Sequence, residues 1–326
     1  MAEPSAFSFP SAARTHRLLT AARYRPAMPR SRPRPAPTNG SRTSRSHARS
    51  ATPSSVPPAR VQRRNATFQH WQTLLTNRTK RHRTGEMLVQ GVRPITLAIE
   101  HGHRVRTLLV DEREHLSTWA RDLVSAPPAP VVQVAPELMA ELGERTDGPP
   151  ELLAIVEIPQ RSLANLSREA GPVLVFDRPS SPGNLGSLAR SADALGAAAL
   201  VISGHSADPW DPAAVRASTG SVFSIPIVQV DGPDAVLDWA RPQHGAAPAL
   251  RVIGTDEHGA VMLPDAPLRD PAVVVIGNET RGMSARWRDA CDLTASIPMG
   301  GSASSLNAAA AGTVVLYEAL RQRRDA

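Results

Sequence analysis

Cysteine is nearly absent: Cys291 is the single one in 326 residues. A lone thiol excludes an internal disulfide framework and any zinc site built on cysteines, and the expected role for it is buried and inert. Lysine is equally scarce, with Lys80 alone against 36 arginines. Together with abundant Ala and Pro, that bias points to GC-rich coding and weakens any functional reading of the arginine content. Aromatic residues make up 4% of the chain. Stacking of nucleic-acid bases on protein rings would therefore fall to very few side chains, such as Trp71 or Trp210. No apolar run approaches the ~18 uncharged residues that a membrane span needs, and there is no apolar core of a secretory signal peptide.

What is present is charge, unevenly spread. Residues 1–64 hold 13 Arg against one acid, Glu3, and residues 65–110 carry a further net +5, whereas the remainder is net −10, leaving +7 overall. The basic character thus belongs to the first third. Residues 1–62 are Arg, Pro, Ser, Ala and Thr with few large apolar side chains. Such a stretch cannot bury enough surface to offset its chain entropy, so it is expected to be a disordered basic extension. Three readings of it stay open: an RNA-attracting arm, a transit peptide, and a start codon assigned too early, with Met28 or a later position as the true beginning.

The pattern from residue 63 onward is globular and splits at a polar stretch, 160–171. In the front part, 63–160, the basic stretch Phe68–Arg83 reads as helical or irregular. After it, short apolar strands at 87–89, 105–110, 131–134 and 152–158 alternate with helices at 92–102, 116–124 and 136–142, which suggests a small α/β domain. In the second part, 161–326, continuous β-branched runs at 173–176, 199–202, 225–230, 250–254, 272–276 and 293–297 are separated by helical segments. Runs of that kind mean a mostly parallel sheet covered by helices on both faces. The final helix is expected over Ser304–Arg321.

Three stretches at strand boundaries carry the chemistry. After the first buried strand come Pro182-Gly183-Asn184-Leu185-Gly186 and then Arg190, where a helix entrance offers free N–H groups. Only Gly183 and Gly186 stand here, after a long loop, so the glycine fingerprint of a dinucleotide-binding oxidoreductase is missing. Gly277-Asn278-Glu279-Thr280-Arg281-Gly282 directly follows the strand 272–276, placing a carboxylate where open α/β sheets bind ligands. Ser304-Ser305-Leu306-Asn307 precedes the last helix, whose Ala308–Gly312 run lets another segment pass very close. Each stretch alone also has an ordinary structural reading as a turn or cap.

Taken in order, Asn184/Gly186/Arg190, Gly277/Asn278/Glu279/Gly282 and Ile297/Pro298/Ser305/Leu306/Asn307 resemble the SpoU branch of the SPOUT RNA methyltransferases. Arg216-Ala217-Ser218-Thr219-Gly220 and Gly254-Thr255 also match, and the resemblance spans roughly residues 63–326. It implies a SPOUT-type α/β catalytic domain with a deep trefoil knot. Before it would stand a small ribosomal-protein-like α/β RNA-binding domain, most similar over Gly85–Glu100. It implies transfer of a methyl from S-adenosyl-L-methionine to a ribose 2′-hydroxyl in structured RNA, with 23S rRNA favoured over tRNA because the front domain resembles that of rRNA enzymes. It further implies a homodimer, a cytoplasmic location (mitochondrial if the extension is a transit peptide), and no metal or membrane.

Carried over residue by residue, Thr255, Gly277, Ile297 and Leu306 would line the cofactor pocket. Asn184, Arg190, Glu279, Ser305 and Asn307 would form the reaction site, with Arg190 either activating the hydroxyl or stabilising the forming alkoxide. The substrate-facing basic stretch is Arg78, Lys80, Arg81, Arg83 and Arg93, with Arg104 and Arg106 as weaker candidates, all expected to meet phosphates without reading sequence. A competing expectation is an RNA-binding protein with a dead catalytic domain, although the complete set of site residues argues against decay.

Overall fold

The computed structural model describes residues 59–112, 116–143, 148–242 and 247–324. The expectations for residues 1–58 lie outside the described residues. At their edge comes a correction, because Ala59–Val61 forms a strand, β1, inside the stretch expected to be disordered. It pairs in parallel with β4 (Val131–Val134), register Val61↔Val134, and buries Val61. Three residues are too few to announce themselves in a sequence pattern.

The basic stretch that follows is two helices, α1 (Ala66–Thr76) and α2 (Arg78–Thr84). Asn77 divides them: its extended backbone ends α1, and its side chain caps α2 by accepting from Lys80 N. Gly85, in the left-handed conformation at φ 67°, ends α2 where a side chain would be strained. Then come β2 (Glu86–Gln90), α3 (Val92–Glu100), β3 (Val105–Asp111), α4 (Thr118–Ser125), β4, α5 (Pro136–Leu142) and β5 (Leu152–Glu157). These strands form a five-stranded sheet in the order β1-β4-β3-β5-β2, in which β5 runs antiparallel to both neighbours. One face packs Leu88, Leu109, Leu153 and Ile155 against Phe68, Trp71 and Leu74 of α1 and Leu138 of α5. Trp71 is therefore core, not a platform for bases.

The second sheet contains β6 (Val173–Asp177), β7 (Ala199–Ser203), β8 (Ile227–Val230), β9 (Arg251–Thr255), β10 (Val261–Met262), β11 (Ala272–Ile276) and β12 (Leu293–Ser296). All seven run parallel in the order β10-β12-β9-β11-β6-β7-β8. The two-residue β10 was invisible in the sequence. On one face, Leu174, Phe176, Leu200, Ile202, Val274 and Ile276 meet α6 (Pro182–Ala194), α7 (Pro212–Ala217) and α10 (Ala308–Arg324). On the other, Val173, Val175, Val201 and Val275 meet α8 (Pro233–Ala240) and Trp287 of α9 (Ala285–Ala290). Alternate residues of each strand serve opposite faces, so a sheet covered on both sides demands the unbroken apolar runs seen in the sequence.

The two sheets share one of their buried apolar clusters. Met87, Val89, Ile95 and Ala98 of the front part join the cluster that contains Ala214, Val215, Val222 and Phe223 of the second. His103 Nε2 lies 2.8 Å from Phe223 O. At Gly220, whose φ is 91°, an added Cβ would meet the Pro94 backbone at 2.8 Å. Among the described residues no helix is long and apolar enough to cross a membrane, and no group of three or more His, Cys, Asp or Glu could hold a metal ion.

Candidate functional site

The strands β12, β9, β11 and β6 are neighbours and parallel, so the loops at their C-terminal ends emerge along one edge, the usual place for a ligand in such sheets. The loop after β6, 178–181, leads into α6. Ser181 caps that helix by accepting from Asn184 N at 3.3 Å, so α6 begins at Pro182, two residues before the expected start.

Asn278 organises the loop after β11. Its Oδ1 accepts from Thr280 N at 3.0 Å and Arg281 N at 3.1 Å, an Asx turn, and its Nδ2 donates to Arg178 O at 2.6 Å. Asn278 and Gly282 also exchange a pair of backbone hydrogen bonds, each 3.0 Å. Arg178, strained at φ 52°, donates through Nη2 to Gly282 O. The buried Asp177 accepts from Ser284 N at 2.7 Å and completes the clamp. Gly277 has no room for a side chain: a Cβ there would come within 2.4 Å of Gly282 C and Met283 N.

Two of the expected reaction residues, Asn184 and Asn307, join Glu279 in one network. Asn184 Nδ2 donates to Glu279 Oε1 at 3.1 Å, and Asn307 Nδ2 donates to Asn184 Oδ1 at 3.1 Å. Ser180 N–H and hydroxyl donate to Glu279 Oε2 at 3.3 and 3.0 Å. Partial burial pushes the Glu279 carboxyl up. The hydrogen bonds from Asn184, from its own backbone N–H and from Ser180 outweigh that, and it sits below the ordinary glutamate value. Asn307 also caps α10, accepting from Ala309 N at 2.9 Å. The helix therefore starts at Ala308, not Ser304. One asparagine thus joins the helix entrance to the carboxylate across the loop.

Beside this network lies a cavity of about 400 Å³. Thr255, Gly277, Ile297 and Leu306, the expected cofactor residues, all line it, together with Glu279 and Ser305. Thr255 is fixed by its hydroxyl, which donates to Val275 O at 2.9 Å. Asp256, Glu257, Met299, Ala308 and Ala311 contribute as well. Arg190 stands apart. It is exposed on α6, outside the cavity lining, and makes no hydrogen bond or ion pair with any described residue.

Of the basic stretch, Arg83 and Arg93 are exposed and, like Lys80, have side chains with no partner among the described residues. Arg104 and Arg106 pair with Glu157. Arg78 donates through Nη1 to Ser206 O at 2.5 Å. Arg81 is a correction: it is 1% exposed, ion-paired with Asp208 at 2.7 Å and Asp211 at 3.0 Å, and donates to Leu74 O and Leu75 O. A guanidinium so enclosed meets no phosphate. Its acidic partners lie far along the chain, so nothing in the basic run itself foretold its burial. Trp210, likewise buried, offers no ring to a base. Ser180 and the bracing role of Asn278 lie outside the expected reaction residues. A polar residue, Asp177, ending an otherwise apolar strand was the available signal.

Residues 171–317 match the SpoU rRNA Methylase family, and residues 65–154 match the SpoU L30e-like domain. This chain belongs to the SpoU methylase family. A 23S rRNA (uridine(2479)-2'-O)-methyltransferase from Streptomyces viridochromogenes is 53% identical over 265 residues, covering 81% of this chain and 92% of the relative. The crystal structure of the SpoU methyltransferase AviRb from that organism, in complex with AdoMet, matches with a TM-score of 0.77 over 80% of this chain and 99% of that one, at 53% identity. The 23S rRNA (guanosine(2553)-2'-O)-methyltransferase RlmP of Bacillus subtilis is 27% identical, covering 78% of this chain and 96% of the relative.

Proposed function

We propose that this protein transfers a methyl group from S-adenosyl-L-methionine to a ribose 2′-hydroxyl of 23S rRNA. The observation that carries the proposal is the hydrogen-bonded chain Asn307–Asn184–Glu279 at the edge of the 400 Å³ cavity. Relatives named as 23S rRNA 2′-O-methyltransferases and a neighbour described with AdoMet support it.

The residues present fit the cofactor. The cavity falls in the range of roughly 300–1,000 Å³ usual for small-ligand sites. Ile297, Leu306 and Ala308 offer apolar wall to a purine, and Asp256 and Glu257 can accept from sugar hydroxyls. The bare Gly277 lets backbone approach closely. When bound, the cofactor supplies a methyl already made electrophilic by its sulfonium, so no metal is needed. The protein's task is then to hold the hydroxyl in line, a contribution of about 7–11 kcal/mol in well-oriented systems. Glu279, kept ionised and pinned by Ser180, holds Asn184, and Asn307 fixes the other end of that amide. Ser305 adds a hydroxyl at the cavity wall. Arg190, with no partner among the described residues, is left to the RNA. A guanidinium holds its protons too tightly to be a ready base, so its charge would stabilise the forming alkoxide.

The same reading includes a trefoil knot and a homodimer. Residues 297–307 run from β12 across to Asn184 of α6, and at Gly312 a Cβ would meet Leu188 Cδ1 at 2.5 Å. Both features suit a tight threaded passage. Tyr317 and Val314 of α10 are exposed apolar side chains suited to a second copy, which sedimentation would detect. The decisive test is methylation of 23S rRNA in vitro with labelled S-adenosylmethionine. The expected result is a single ribose-methylated site with wild type and none with Arg190→Ala. Failure of the wild type to bind the cofactor would favour the RNA-binding alternative.

A further inference from the structure

A second cavity, of about 530 Å³, lies on the other side of the Asn278 loop. Its walls are the loops after β6 (Arg178–Ser180), β7 (His205–Ala207) and β11 (Asn278, Thr280, Arg281), and among the described residues no carboxylate lines it. Arg178 is held by Asp177 and Gly282 O. The side chains of Arg281 and His205 are exposed and bond to no described residue. The front sheet's helix braces the far wall, because Arg78 donates to Ser206 O while Arg81 and His82 grip Asp208 just beyond. Ser180 lines this cavity and donates to Glu279, so the cavity and the reaction residues share a wall.

We propose that this cavity takes a backbone phosphate of the RNA strand next to the ribose being methylated, with Arg281 and His205 as its free donors and Arg178 as a fixed one. Arg178 is already paired with Asp177 at 3.1 Å, but Arg281 and His205 bring donors that no described side chain occupies, and a recess of such donors and polar loop atoms suits a phosphodiester and positions a strand without reading its bases. Arg281 also borders the cofactor cavity, so the phosphate and the methyl donor approach the same loop from opposite sides. His205 borders only the second cavity.

The inference rests on the RNA methyltransferase reading, and the test separates the two. Binding of a 23S rRNA transcript would be measured across a series of KCl concentrations for wild type, Arg281→Ala, Arg281→Lys and His205→Glu. Cofactor affinity would be followed by calorimetry on the same proteins. Arg281→Ala is expected to reduce the slope of log affinity against log salt by about one, and Arg281→Lys to restore it. His205→Glu, which places an acid in the recess, is expected to weaken RNA binding about tenfold or more while leaving cofactor affinity unchanged. A wild-type slope in Arg281→Ala with unaltered RNA affinity in His205→Glu would overturn the subsite alone. Equal losses of cofactor and RNA affinity in His205→Glu would also overturn it, assigning the recess to the cofactor's carboxylate. A wild type that neither binds nor methylates the transcript would overturn the functional reading and the subsite with it.

Discussion

Arg81→Ala removes the cation from a site only 1% exposed and leaves the Asp208 carboxylate, itself buried, facing Asp211. Asp208 keeps His82 at 3.2 Å and the Trp210 N–H at 3.1 Å, so it is not wholly orphaned. Breaking a buried pair by deleting one partner costs about 3–5 kcal/mol, and these residual contacts place the expected loss near the lower end, about 3 kcal/mol. At roughly 2–4 °C per kcal/mol for domains near this size, the melting temperature should fall by roughly 6–12 °C in a thermal scan. In a cycle with Asp208→Ala, the double variant should lose less than the two singles summed, by on the order of 1–3 kcal/mol, because once both charges are gone neither is stranded. RNA binding supplies the contrast. At a temperature where Arg81→Ala is folded, its salt slope should equal that of wild type, since this guanidinium neutralises aspartates and not phosphates. A variant that melts like wild type but loses about one unit of slope would refute the burial argument and return Arg81 to the RNA-binding surface.

Glu279→Gln should impair methyl transfer more than RNA binding, because it weakens the acceptor that holds Asn184 and Ser180; steady-state kcat and KM separate the two. Since folding holds the Glu279 carboxyl below its ordinary value of 4.5, its stabilising effect is full above that value and fades as pH drops through the folded-state value. The stability gap between wild type and Glu279→Gln should therefore close on acidification, as followed by urea titrations. Gly277→Ala should abolish cofactor binding while leaving most of the fold, because its Cβ would press on backbone at 2.4 Å; calorimetry with S-adenosylmethionine reads this directly. Burial, aided by the Asp292 charge, pushes the Cys291 thiol up to about 11. It should thus react with iodoacetamide at pH 8 far more slowly than an unfolded cysteine and at the ordinary rate once urea exposes it.

The alternation of β-branched runs and helices was legible because a sheet covered on both faces keeps its strands mostly apolar, with polar residues such as Asp177, Ser203 and Thr255 at their ends. β1 and β10 escaped because their pairing partners, not their own few residues, make them strands. The site was legible as ordered motifs, and the geometry adds what links them: Asn307 is at once helix cap and partner of Asn184, which is why the last helix starts later than its composition suggests. Arg81 shows the limit most clearly. Within its own segment it is one more basic residue beside Arg78, Lys80 and Arg83, and only the loop carrying Asp208 and Asp211, brought in by the fold, makes it a core residue. Trp71 and Trp210 mislead in the same way, since scarcity says nothing about which side of a helix or loop faces inward.

One apolar cluster is shared by both sheets and runs from Val89 and Ile95 through to Val222 and Phe223. Hinge closure would tear that core open, so the front part and the motif edge act as a caliper of fixed jaw width. On the RNA methyltransferase reading, selection would then fall on the RNA: a structured strand whose grip point and target sugar are spaced to the jaws would be modified, and one that cannot bend to that gauge would be passed over.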